Sequence, residues 1–360
     1  MKKLAVIWLI LGVSAFMVTC QKDPSIDNML INDDNSGPKP YFLKSPPGFP
    51  DYLLPEGMEL TEEGIALGKK LFHDPVLSRN NNISCSSCHL QEFGFSDSAR
   101  LSLGTYGGRT AVNSMPIINI AWMDRFFWNG RAFSAVDQAF QPVVNHVEMD
   151  LTWPEAVDKL MNDDEYVALF KKVFGTEVID SVKVSEAIVQ YELTLVSANS
   201  KFDKWLRGEA VLTNQELHGS EIVFNTEIGD CFHCHGGILT TDNIFHNNGL
   251  DEEGSIDEGL YKVTGLDQDY GKFKTPTLRN LAFTAPYMHD GRFKTLDEVI
   301  DFYSTGVHLT STTDVLMKKA LPGGGGVNLS DFDKAALKAF LLTMTDSTIL
   351  TNPDFSEPED

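Results

Sequence analysis

Cys85-Ser86-Ser87-Cys88-His89 is the stretch that decides the fold, because it recurs as Cys231-Phe232-His233-Cys234-His235. Two cysteines three residues apart lie on one turn of chain, where their sulfurs can bond the two vinyl groups of one porphyrin. The histidine that follows is then held under the iron as its proximal ligand. C-x-x-C by itself would also serve a zinc or redox site. Zinc, however, needs four ligands per site, and no suitably spaced second pair exists for either motif. Two matches, both completed by His, imply two covalently attached c-type haems.

Working outward, each motif is preceded by a similar segment. Thr61-Glu62-Glu63-Gly64 opens a helix that runs through Leu67, Leu71 and Phe72, and Thr213-Asn214-Gln215-Glu216 opens another that reaches Phe224. Threonine caps with acids in the first turn are helix-start signals. In this frame Gly68 matches Ser220, so the chain reads as an internal repeat. Helical spacing recurs over Trp153–Phe174, Val184–Ala198 and Asp331–Thr345, whereas strand-like alternation is scarce. The expected class is mainly α: two cytochrome-c-like haem domains with long irregular loops. An N-terminal domain over 46–200 and a C-terminal one over 201–346 are followed by an acidic tail, 347–360, expected to be frayed.

The 360 residues are 42% hydrophobic, enough for two ordinary cores. The formal net charge of -22 excludes nucleic acid and anionic lipid headgroups as natural partners and favours a locally positive redox partner. Lys2 and Lys3 precede the apolar run Leu4–Val18, a leader too short for a convincing membrane span. It ends at Cys20, the only cysteine outside the two motifs, so residues 1–20 read as a lipoprotein signal with Cys20 as the anchor. That places the chain in the periplasm or cell envelope, tethered through a flexible segment over 21–45.

Three longer stretches carry a resemblance. Phe127-Trp128-Asn129-Gly130-Arg131, then Gln138 and Gln141-Pro142-Val143-Val144-Asn145-His146-Val147-Glu148-Met149, is similar to the bacterial di-haem cytochrome c peroxidase and MauG family. So are Phe273-Lys274-Thr275-Pro276-Thr277-Leu278-Arg279-Asn280 and Thr284-Ala285-Pro286-Tyr287-Met288-His289-Asp290-Gly291. The resemblance runs from about residue 48 to about residue 346. It implies that Glu148 is the distal-pocket acid, that Gln138 hydrogen-bonds the ligand, and that Trp128 relays electrons between the haems. His146 stands where the family often has Pro, a departure that offers a second proton donor or an iron ligand. Asn113, with the backbone carbonyls of Thr284 and Pro286, matches the family's calcium site, although the proline after Asn113 comes one residue later than usual.

The second haem needs a sixth ligand. The family's ligand lies 17 residues beyond the calcium-site proline, at Tyr303 here, with Met288 and then His308 as alternatives. Family peroxidases carry Met at that place and MauG carries Tyr. Many members also close the first haem with a distal His, expected at Thr105, where Tyr106 would be the only nearby substitute. The resemblance therefore implies an enzyme that reduces hydrogen peroxide to water with electrons from a small cytochrome c or similar donor, possessing an open first haem. The alternatives are MauG-like oxidation of a protein side chain and non-catalytic electron transfer. A homodimer is compatible with this reading.

Overall fold

The computed structural model describes residues 37–52, 54–320 and 325–358. The leader, Cys20 and most of the expected tether lie outside them. In chain order the helices are α1 (Glu62–His73), α2 (Ala135–Val144), α3 (Trp153–Met161), α4 (Asp164–Phe174), α5 (Ser181–Glu192), α6 (Lys201–Leu206), α7 (Asn214–Phe224), α8 (Phe232–His235), α9 (Tyr261–Thr264), α10 (Leu296–Asp301), α11 (Val315–Ala320) and α12 (Asp331–Leu342). Two short strands, β1 (Phe245–His246) and β2 (Phe273–Lys274), pair antiparallel with Phe245 opposite Lys274. The fold is mainly helical, with long irregular connections. No helix among the described residues is long and apolar enough to cross a membrane.

Local chemistry sets the helix starts. Thr61 Oγ1 accepts from the Gly64 N–H at 2.9 Å, Glu62 and Glu63 fill the first turn, and Lys70 and His73 fill the last. Each sign of charge complements the helix dipole at its own end. Thr213 and Glu216 cap α7 reciprocally, and Ser330 with Asp333 does the same for α12. The expected helix over Trp153–Phe174 is two helices, because the Asp163 carboxylate accepts from the Glu165 and Tyr166 N–H groups and starts α4 afresh. The stretch expected as helix to Ala198 ends at Glu192. Beyond it, the Leu195 carbonyl and Ser197 N–H bind Asn119 instead of continuing the helical ladder.

The repeat is real, but its packing frame differs by one residue from its cap frame. α1 packs on α5, and α7 packs on α12. A Cβ on Gly68 would stand 1.8 Å from the Ala187 carbonyl oxygen, and one on Gly219 would stand 2.0 Å from that of Ala336. Gly219, not Ser220, is therefore the counterpart of Gly68: only glycine lets these helices approach so closely. Gly68→Ala is expected to cost about 1–3 kcal/mol, because the obstacle is backbone and the helices must move apart. A urea melt monitored at the helical band checks this.

One apolar cluster forms around α1, α4 and α5, with Leu71, Phe72, Phe95, Phe170 and Tyr191 buried completely. A second forms around α6, α7 and α12, with Phe202, Ile222 and Phe340 at its centre. Arg279 and Asp203, both without solvent exposure, form a bidentate pair at 2.6 and 3.0 Å. The guanidinium also donates to the carbonyls of Ser197 and Ile238, and its charge holds the Asp203 carboxyl below the usual range against the opposing effect of burial.

Two expectations about the ends need correction. From Pro38 the tether is docked: the Tyr41 N–H donates to the Leu60 carbonyl and the Glu62 N–H to that of Lys39, and Leu43 is buried. Through residue 358 the acidic tail is not frayed, because apolar side chains within it outweigh its charge. Ile349 and Phe355 are buried in the first cluster. Asp346 accepts from the N–H groups of Ala198 and Asn199 at 3.0 and 2.9 Å.

Candidate active site

None of the four motif cysteines is in a disulfide, and all four are half-buried. Burial pushes Cys88 up to about 11, Cys231 and Cys234 up to about 12, and Cys85 further in the same direction. A redox C-x-x-C pair needs a depressed thiol, and these are raised instead. Among the described residues, the one cluster of three His, Cys or carboxylate groups close enough to share a metal joins Cys234 to Asp242 and His246, with no second thiol. Among the described residues neither motif therefore finds a second thiol pair that would complete a four-ligand zinc site.

Both candidate proximal histidines are oriented as iron ligands require. His89 Nδ1 lies 3.0 Å from the Phe95 carbonyl and His235 Nδ1 lies 3.4 Å from that of Thr240. A carbonyl can only accept, so each ring carries its proton on Nδ1 and leaves Nε2 free to bind a metal. Burial holds both imidazoles below their ordinary value, which keeps them neutral.

At the first site α2 and the loop after it carry the distal groups. Glu148 is half-buried, and its charge bears on Cys85 and Cys88. Burial pushes its carboxyl up, while the Arg131 charge and a 2.8 Å hydrogen bond from Asn145 Nδ2 pull it down. Arg131 is stacked 3.3 Å from the Phe127 ring centroid and donates to Gln141 at 2.9 Å. Gln138, on α2, is half-buried and its side chain makes no hydrogen bond to the described residues. The groups considered as blockers are turned elsewhere. Thr105 Oγ1 donates to Asn82 at 2.7 Å, Tyr106 is 65% exposed, and His146 is exposed. Two groups carry no flag in the sequence. Asn145 steadies Glu148, and Glu192 is a buried carboxyl near Cys85 that burial alone pushes up to about 8.

At the second site a largely apolar cavity is bounded by Cys231, Cys234, His235, Met288 and Tyr303, with Ile222 and Leu341 in its walls. Asn248 Nδ2 donates to the Tyr303 hydroxyl at 3.0 Å and lies 3.9 Å from the Met288 sulfur. Tyr303 sits on a single turn of wider helix, Phe302–Gly306, that continues α10. Such turns often mark functional positions. Burial pushes its hydroxyl up to about 12 against the Asn248 bond, so only a cation on that oxygen would make it a phenolate at neutral pH. His308 is not part of the cavity wall. His246 also borders the cavity, with Asp314 and Asp242 carboxylates 2.8 and 2.9 Å from its two ring nitrogens.

Trp128 belongs to the wall of the second site. Its Nε1 donates to the Asn113 carbonyl at 2.8 Å. Two residues further on, the Met115 backbone reaches the His89 ring. The turn that carries Trp128 has a counterpart that the sequence announces as Asn129-Gly130-Arg131 and Asp290-Gly291-Arg292. Phe126 pairs with Ala132 and Tyr287 with Phe293, and Phe127 and Met288 both have positive φ, 63° and 75°. Trp128 thus corresponds to His289, and Asn113 holds both turns, through its carbonyl to Trp128 and its N–H to the His289 carbonyl. Asn113 also spends its amide N–H groups on Ala99 and Arg100, which leaves Oδ1 as an acceptor, and with Thr284 and Pro286 it borders the cavity.

The donor sets fit two c-type haems: paired cysteines and a Nδ1-anchored histidine on each side and, at the second, largely apolar walls. A profile of the family described as di-haem cytochrome c peroxidase matches residues 62–211. The chain is 33% identical over 291 residues to the methylamine utilization protein MauG of Methylorubrum extorquens, covering 81% of this chain and 80% of that one. It is 36% identical to the cytochrome c551 peroxidase of Nitrosomonas europaea, covering 69% and 74%. A solved structure described as a MauG-like protein associated with microbial copper homeostasis superposes with a TM-score of 0.81 at 32% identity, covering 88% of this chain and 99% of that one. Similarity of this extent, on a helical scaffold with both haem motifs in place, shows that the chain belongs to the di-haem cytochrome c peroxidase family, whose members carry two c-type haems.

Proposed function

We propose that this chain reduces hydrogen peroxide to water on the Cys85–His89 side, with electrons delivered on the Cys231–His235 side by a small cytochrome or similar donor. The reaction consumes one peroxide, two electrons and two protons and yields two waters. Bound haem supplies the iron centre and the electrons that cleave the O–O bond. The protein's own part is proton movement. The half-buried Glu148 takes a proton from the near peroxide oxygen and returns it to the far one, which leaves as water. Its half-buried carboxyl, held by Asn145 at 2.8 Å, is the observation that carries the reading, and burial pushing that carboxyl up agrees with it. Gln138, whose amide makes no hydrogen bond to the described residues, orients the peroxide, and Trp128, in the wall of the second cavity, relays the electrons.

We assign Tyr303, with Asn248 holding its hydroxyl, as the residue that would join His235 in holding the second haem's iron. The oxygens of Asn113, Thr284 and Pro286 suit a calcium ion between the two turns. We read the leader as an export signal to the cell envelope, with Cys20 as the lipid anchor. The Tyr303–Asn248 pair favours a second reading, MauG-like oxidation of a protein side chain, since a phenolate oxygen stabilises highly oxidised iron where a thioether does not.

Steady-state peroxide consumption with a panel of reduced small cytochromes separates the two. Turnover with at least one donor is expected. Rapid single-turnover reaction with peroxide but no turnover with any donor would favour the second reading.

A further inference from the structure

The segment after α12 runs from the second haem lobe across the first as a strap. It is anchored where the Asp346 N–H donates to Asn280 Oδ1 at 2.7 Å and its carboxylate caps residues 198 and 199. It then lies on the turn between His89 and Phe95. Every polar atom of the Gln91 side-chain amide is engaged by the strap. Nε2 donates to the carbonyls of Ile349 and Asn352 at 2.8 and 2.9 Å, and Oε1 accepts from Ser356 Oγ at 3.0 Å. Phe355 is buried edge-on against Phe95, with ring centroids 6.1 Å apart, and its carbonyl accepts from the Tyr191 hydroxyl at 2.8 Å.

Phe95 needs this support. It is a fully buried aromatic at φ 62°, a backbone region that bulky L-residues seldom occupy. Its carbonyl is the acceptor for His89 Nδ1. The partner of that second nitrogen sets the orientation of a metal-binding histidine and its basicity.

We propose that the 347–358 strap is a positioning element for His89: through Gln91 and Phe355 it holds the Phe95 carbonyl on Nδ1 and so sets the reduction potential of the first haem. The proposal rests on His89 as the iron ligand and not on the identity of the substrate. Loosening the carbonyl makes the imidazole a weaker donor, which disfavours the ferric state.

The test is a spectroelectrochemical titration of the holoprotein without peroxide, comparing wild type with Phe355→Ala, Phe355→Leu and Gln91→Ala. The first-haem potential is expected to rise in Phe355→Ala and Gln91→Ala, by enough to change its reduced-to-oxidised ratio at a fixed potential at least threefold. The second-haem potential stays put, and Phe355→Leu returns toward wild type by refilling part of the space. If Phe355→Ala does not retain two haems, Gln91→Ala, which removes only hydrogen bonds, decides alone. Unchanged first-haem potentials in fully loaded variants overturn the proposal, and so do equal shifts at both haems, which would report general loosening. Because no peroxide is present, this result is independent of the peroxidase reading.

Discussion

Glu148→Gln slows the reaction of the oxidised protein with hydrogen peroxide by about 100-fold or more, with haem content unchanged, the scale usual for lost general acid–base catalysis. Glutamine keeps the shape and can still accept from Asn145, but it cannot take up and return a proton. The pH dependence carries the same signature. The competent form of Glu148 is the carboxylate, so the wild-type rate falls as pH drops through its pKa. Burial places that limb above the ordinary carboxylate range, and the Arg131 charge and the Asn145 bond limit how far. The limb disappears in Glu148→Gln. Stopped-flow mixing across pH 4–8 measures both effects; an unchanged rate in the variant would assign the proton to His146 or to water.

Replacing Cys231 and Cys234 together by Ser is expected to leave one haem of two, read as the pyridine haemochrome ratio to protein. The two motifs sit in separate apolar clusters, Cys85 against the first and Cys231 against the second, so losing one attachment leaves the other lobe's packing in place. The second lobe suffers, because Ile222, Leu337 and Leu341 wall a cavity meant to be filled. Donor-driven turnover is lost with the second haem, while single-turnover reaction with peroxide survives. A ratio near one in the wild type would sink the two-haem reading.

Much of this was legible in the sequence because the informative signals are short-range. C-x-x-C-H, threonine caps and helical spacing depend on residues within a turn or two of each other, and both attachment sites and the helix starts follow from them. What escaped depends on contacts between distant segments. The one-residue offset between Ser220 and Gly219 is set by how closely α7 approaches α12, which no cap reports. The tail looked frayed because its acids are conspicuous, yet Ile349 and Phe355 find partners some 250 residues upstream, about Gln91 and Phe95. Asn145 and Asn248 hold Glu148 and Tyr303 through single hydrogen bonds, and asparagines in loops carry no sequence mark for such a role. The paired turns around Trp128 and His289 were visible in principle, in Asn129-Gly130-Arg131 and Asp290-Gly291-Arg292, but become a repeat only when their backbones are compared.

The central claim is that the His89 haem is open to peroxide in the resting protein. Thr105 is committed to Asn82, Tyr106 is 65% exposed and His146 is exposed, which supports an open site. Electron paramagnetic resonance of the fully oxidised protein tests this most directly. One high-spin ferric haem is expected beside the ligated second haem, with peroxide reacting before any reduction. Two low-spin haems, with reactivity appearing only after one-electron reduction, would contradict it.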